Sequence, residues 1–131
     1  MYLLDTDTLI YNLKGNPKVC ENLRLHANDS IQVSIITLME LYYGAYKSQH
    51  VDANLAKIKT LEQFVDILPA GPETAEIFGR LKAGLESAGN KLDDFDLIIA
   101  STALTHNLVL VTNNEKHFQR IDGLKVENWC N

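Results

Sequence analysis

The sequence predicts a three-layer α/β sandwich, with helices flanking a mostly parallel sheet of four to five strands. Three observations carry that expectation. Short apolar runs alternate with stretches of helical periodicity along the chain, the order from which parallel sheets are built. Two of the runs, Met1–Leu4 and Leu108–Val111, are apolar throughout, as strands covered on both faces are. The 131 residues are 46% hydrophobic and show no repeat, linker or biased tract, which fits one domain spanning 1–131 with its own core.

The elements follow in order. The first strand, Met1–Leu4, runs into the "LLDTDTLI" segment: Asp5 follows it directly, and Asp7 is read as a helix cap. The second strand is Ile31–Val33. After it, Leu38, Leu41, Tyr42 and Ala45 fall at i, i+3, i+4 and i+7, predicting a helix over Leu38–Lys47. The third strand is Phe64–Leu68, closed by Pro69. A helix over Pro72–Ala88 has proline at its first position and Gly89 just past its end, with Ile77, Leu81 and Leu85 on one face. The stretch Asp94–His106, "DFDLIIASTAL", is apolar nearly all round and predicts a helix buried in the core, capped by Asp93 or Asp94. The fourth strand is Leu108–Val111, and a weak fifth lies near Val126. Trp129 is expected to close the core beside that last strand.

Composition excludes several functions. With 12 Lys+Arg against 17 Asp+Glu the net charge is −5, the wrong sign for a protein that binds nucleic acid through a broad basic face. An enzyme that holds one phosphodiester in a cation-loaded acidic pocket remains compatible. No apolar run is long enough to cross a bilayer, and the N-terminus shows neither the basic region nor the cleavage site of a signal peptide. A cytoplasmic protein with no membrane partner is expected. Cys20 and Cys130 belong to no C-x-x-C pair and read as free thiols. His26, His50, His106 and His117 show no metal-ligand spacing, and His117 is expected to pack or face solvent.

In an open α/β sheet the functional crevice lies beyond the carboxyl ends of the strands. That rule gathers Asp5 after the first strand, Glu40 early in the helix after the second, and Asp94 and Asp96 at the start of the buried helix. It also brings in Asn114, after the fourth strand in "VLVTNNEKHF". Oxygen donors from four distant segments suit Mg²⁺ or Mn²⁺, which can polarise a phosphoryl oxygen and activate water. Each residue also has a plainer role: Asp5 as a turn former, Glu40 on a solvated helix face, Asp96 as a first-turn acid favoured by the helix dipole. Asp96 weighs most, because a charge in so apolar a helix needs a partner or an ion.

Four blocks, "LLDTDTLI", "ITLMELYYGA", "DDFDLIIASTAL" and "LVTNNEKHF", resemble in order and separation the PIN-domain ribonucleases, and among them the VapC-type toxins of toxin–antitoxin pairs. The resemblance covers essentially the whole chain. It implies a PIN-like sandwich and an endoribonuclease dependent on Mg²⁺ or Mn²⁺, usually a homodimer, neutralised by a cognate VapB-type antitoxin. RNA is the implied substrate, transfer RNA among the candidates. Residue by residue, it makes Asp5, Glu40 and Asp96 the catalytic and metal-holding carboxylates. Asn114 stands at a fourth position that is acidic in many PIN domains, which weakens the case for a second tightly held metal. Asp94 is a substitute ligand or an N-cap, with the cap preferred. Thr6, Ser34, Thr112 and Asn114 are supporting groups that would orient ligands or water. Ser34 and Thr112 read equally well as ordinary strand-end residues. Of the basic residues Lys14, Lys47, Arg80, Lys82 and Lys116, most read as solvated helix faces, with at most one of Arg80 and Lys82 lining the cleft.

Three rivals have specific weaknesses. "LLDTDTL" resembles the nucleophile loop of haloacid-dehalogenase-like phosphatases, but Thr8 falls one residue early and Glu40 would have no role. A receiver-like phosphoacceptor module needs an aspartate at the end of strand three, where Leu68-Pro69 stand. A non-catalytic PIN-like binding domain is at odds with three retained carboxylates.

Overall fold

The computed structural model describes residues 1–131. Its five strands are β1 (Tyr2–Leu4), β2 (Ile31–Ser34), β3 (Asp66–Leu68), β4 (Val109–Val111) and β5 (Val126–Glu127). They form one sheet in the order β3-β2-β1-β4-β5, parallel at every pairing. Seven helices connect them: α1 (Thr6–Leu13), α2 (Pro17–Leu25), α3 (Ile35–Lys47), α4 (Val51–Leu61), α5 (Pro72–Ser87), α6 (Asp94–Thr105) and α7 (Glu115–Phe118).

The alternation of side chains along the short central strands divides the core in two. Leu3 of β1 and Leu110 of β4 pack with Leu97, Ile99, Ala100 and Ala103 of α6 and with Leu85 of α5. Their neighbours Leu4 and Val111 point to the opposite face, where they meet Leu9 of α1, Leu41 and Ala45 of α3, and Ile58 of α4. Both faces of β1 and β4 are therefore covered, which is why these strands are apolar at every position.

Local signals start and stop the helices. Pro17 opens α2 behind Asn16, whose Oδ1 accepts from the backbone N–H of Lys18 and Val19. Pro72 opens α5, and Gly89 follows its end at φ +73°, a conformation that glycine adopts without steric cost. In α6, which is buried from Leu97 to Ala103 apart from Ile98, the hydroxyls of Ser101, Thr102 and Thr105 donate to carbonyls one turn back. Burial there leaves no unsatisfied polar group.

Two expectations change. The third strand starts at Asp66 rather than Phe64: the chain is still turning out of α4 there, with the Phe64 N–H donating to the Leu61 carbonyl and the residue 76% exposed. The cap of α6 is Asp93, whose Oδ2 accepts from the Phe95 N–H, and not Asp94. Trp129 is buried at 3% exposure and packs into the β1–α3 core, as expected.

Candidate active site

The strand order reverses between β1 and β4: β2 and β3 extend the sheet on one side, β5 on the other. Parallel sheets open a crevice at such a reversal, beyond the strand ends. Leu4 pairs with Val111 there, so Asp5 and Thr112 leave the sheet side by side. The Asp5 N–H still donates to the Val111 carbonyl, while its side chain begins α1.

Asp5 is thus both strand end and helix cap: its Oδ1 accepts from the Thr8 N–H at 2.8 Å. It is only 4% exposed. Burial, and then Asp7, push its carboxyl above the ordinary value, and hydrogen bonding from Thr112 and Thr8 partly offsets this. Asp7 is not the cap the sequence suggested. The helix already starts at Thr6, so the capping position falls on Asp5, and Asp7 sits exposed in the first turn with Oδ2 accepting from Asn114 Nδ2 at 3.2 Å.

Glu40 is carried by the second turn of α3 and held by Thr6, whose Oγ1 donates to Oε1 at 2.6 Å. Thr37, fully buried one turn before Glu40, places its own hydroxyl 3.1 Å from that of Thr6. Burial raises the Glu40 carboxyl, and Asp93, Asp7 and Asp5 raise it further against the Thr6 bond. Asp96, near the start of α6, is pushed up to about 6 by burial and then by Asp93, Asp5, Glu40 and Asp7. The three carboxylates read from the sequence therefore share one electrostatic neighbourhood. No lysine or arginine is paired with any of them, since the chain's ion pairs are Arg24–Glu21 and Lys82–Asp94.

The supporting residues divide. Thr6 bonds Glu40 directly. Thr112 serves Asp5 and also accepts from the Asn114 N–H at 2.9 Å, shaping the turn that brings the Asn114 amide to Asp7. Ser34 is the N-cap of α3, accepting from the Ile36 N–H, and makes no bond to a carboxylate. Asp94 is not the cap: its Oδ1 lies 2.9 Å from Lys82 Nζ. That pair occupies Lys82 as well. The sequence reading missed Thr37 and the charge of Asp93, because both act through the phase of a helix against its neighbour. Cys130 is a free thiol, as read from the sequence, raised by burial and by the charges of Asp5 and Asp7.

No three His, Cys, Asp or Glu side chains stand close enough as they lie to grip a cation between them. The carboxylates form an open, all-oxygen donor set under mutual repulsion. Such a set fits Mg²⁺ or Mn²⁺, since Mg²⁺ takes few protein ligands and keeps several waters.

Comparison with known proteins bears on the same arrangement. The family described as PIN domain matches residues 2–124. The tRNA(fMet)-specific endonuclease VapC of Shigella flexneri is 37% identical over 129 residues, covering 98% of this chain and 97% of its own. Ribonuclease VapC2 of Haemophilus influenzae is 38% identical over 129 residues, with the same coverage. Among solved structures, VapBC2 of Rickettsia felis bound to a promoter DNA fragment aligns with a TM-score of 0.92 at 36% identity, over 98% of both chains. VapBC-1 of nontypeable Haemophilus influenzae aligns with a TM-score of 0.90 at 34% identity, over 99% of this chain and 98% of its own.

Proposed function

This chain belongs to the PIN-domain family and, within it, to the VapC ribonucleases; from that premise we propose that it is a Mg²⁺- or Mn²⁺-dependent endoribonuclease. A VapB-type antitoxin is its partner in this reading, which the VapBC assemblies among its structural neighbours support. Two of its relatives carry the name tRNA(fMet)-specific endonuclease, so transfer RNA is the first substrate class to try.

One observation carries the reading: Asp5, Glu40 and Asp96 share one electrostatic neighbourhood near the β1–β4 reversal, each raised first by burial and then by neighbouring carboxylates, with no lysine or arginine paired to any of them. The three would hold the cation, which when bound supplies Lewis-acid polarisation of the phosphoryl group and activation of water. The protein's own contribution is positioning. The Thr8 N–H fixes one oxygen of Asp5, and Thr6 fixes one oxygen of Glu40. The Asn114 amide holds Asp7 to one side. Without a cation, Asp96 keeps a proton up to about pH 6, relieving part of the repulsion.

The test is to incubate the purified protein with total RNA, with Mn²⁺ or EDTA, and map the new ends. Discrete cleavage that needs the metal and falls at least 100-fold in Asp5→Asn is expected, on the order of effects at such sites. Undiminished cleavage in EDTA or in Asp5→Asn would overturn the assignment.

A further inference from the structure

The buried stripe of α3 consists of Thr37, Leu41 and Ala45, one residue per turn. Two of them are apolar, and the third carries a hydroxyl. Valine has the same shape as threonine, so packing alone does not call for Thr37. A buried hydroxyl also costs stability unless it is hydrogen-bonded. In α6 the buried hydroxyls of Ser101 and Thr102 bond carbonyls one turn back in their own helix. Thr37 instead reaches across to another helix: its partner is the hydroxyl of Thr6, at 3.1 Å.

Counting protons gives the direction of that bond. Thr6 has a single hydroxyl proton, and its Oγ1 lies 2.6 Å from Glu40 Oε1. A carboxylate that holds a cation is ionised and can only accept, so the Thr6 proton belongs to Glu40. The Thr37 hydroxyl must then donate to the Thr6 oxygen. A chain runs from Thr37 through Thr6 to Glu40, in which each bond polarises the next. Its last bond goes to a charged group, the stronger class of hydrogen bond. Thr37 and Glu40 lie one turn apart on α3, while Thr6 directly follows Asp5 and opens the helix that Asp5 caps. The chain therefore ties Glu40 to the segment that carries Asp5.

We infer that Thr37 is a positioning residue for the cation site: through Thr6, its hydroxyl sets the rotamer of Glu40 and the phase of α3 against α1. Groups that orient metal ligands usually stand one hydrogen bond away from them; Thr37 stands two away. The inference rests on the ribonuclease reading and deepens it, because Glu40 matters here as a cation-holding group.

The test is calorimetric titration of the full-length protein with Mn²⁺, comparing the parent with Thr37→Val, Thr37→Ser, Thr6→Val and the double variant Thr6→Val/Thr37→Val. Thr37→Val keeps the shape and loses the proton, and should weaken Mn²⁺ binding about three- to tenfold, the range for one net hydrogen bond. Thr37→Ser keeps the hydroxyl and should bind within about twofold of the parent. In the Thr6→Val background, Thr37→Val should add nothing further, because the chain is already cut. A residue that only packs would behave otherwise. Its effect would add in both backgrounds, and serine, which leaves a gap, would bind no better than valine. Either outcome overturns the inference, as does a Thr37→Val protein that binds Mn²⁺ like the parent. Circular dichroism and melting establish that each variant is folded. One further measurement needs no substitution and stands even if Thr37→Val fails to fold. The Thr37 hydroxyl proton of the parent should exchange slowly enough to give an NMR signal with a contact to the Thr6 side chain; exchange too fast to observe overturns the relay. A parent that binds no Mn²⁺ and cleaves no RNA overturns the ribonuclease reading and this inference with it. Failure of this inference alone leaves both properties in the parent and removes only the differences among the variants.

Discussion

Asp96 brings a charge into the start of a helix whose next turns are buried, and the consequence is a specific dependence on pH. The folded chain holds its proton up to about pH 6, against 3.8 for an ordinary aspartate. Across that window the folded state binds more protons than the unfolded one, so stability falls as the pH rises. Below 3.8 the penalty is absent, and above about 6 it is fully present. In EDTA, Asp96→Asn should therefore melt higher than the parent at neutral pH, with the gap closing as the pH approaches about 4. Mn²⁺ should raise the melting temperature of the parent more than that of the variant, since bound metal stabilises only a state that can hold it. A gap that stays constant with pH would show that Asp96 titrates normally. Thr6 makes the complementary case, because its 2.6 Å bond is the side-chain restraint on Glu40. Thr6→Val keeps the shape and removes the donor, and should lower kcat about 10–100-fold, the range for groups that orient metal ligands. Unchanged kcat would mean that Glu40 is held by packing alone.

The start of α6 shows how one element can serve two ends. Asp93 caps the helix through the Phe95 N–H, and its charge is also the largest carboxylate contribution to the raised pKa of Asp96 and of Glu40. Asparagine caps as well as aspartate and carries no charge, whereas alanine loses a cap worth about 1 kcal/mol. Asp93→Asn should thus stabilise the metal-free protein at neutral pH and Asp93→Ala should destabilise it; equal melting of the two would remove the cap from the account. Helices with such punctuation were readable in the sequence: α5 from Pro72 and Gly89, α6 from its acidic start, α3 from its apolar spacing. Others lacked it. His50 precedes α4 without a side-chain cap, and the cap of α1 is the residue that ends β1. The shared electrostatic neighbourhood of Asp5, Glu40 and Asp96 was legible because Asp5 follows β1, Glu40 lies in the helix after β2, and Asp96 opens the buried helix before β4. Thr37 was not, since its role depends on how α3 is rotated against α1.

At the scale of the whole molecule, the C-terminal segment ties together parts that the sheet alone leaves apart. Trp129 lies stacked on His26 at the end of α2, ring centroids 4.5 Å apart, and tilted against Tyr2 of β1 at 5.2 Å. Its indole N–H donates to Glu127 Oε1, and its carbonyl accepts from Asn22 of α2 at 3.0 Å. Beside it, Asn128 Nδ2 donates to Glu115 at the start of α7, the helix that follows Asn114. One tail therefore fixes β1, α2 and the Asn114 turn, and β1 in turn delivers Asp5. Trp129→Ala should cost about 3–5 kcal/mol, as aromatic truncations in cores do. Trp129→Phe keeps the ring contacts, loses the indole bond and should cost less. The activity lost below the melting transition should follow the same order, because loosening the tail frees β1 and the Asn114 turn together. Cleavage assayed at a temperature where each variant is fully folded distinguishes the two possibilities. Full activity in a folded Trp129→Ala would mean that the tail stabilises the fold without shaping the site.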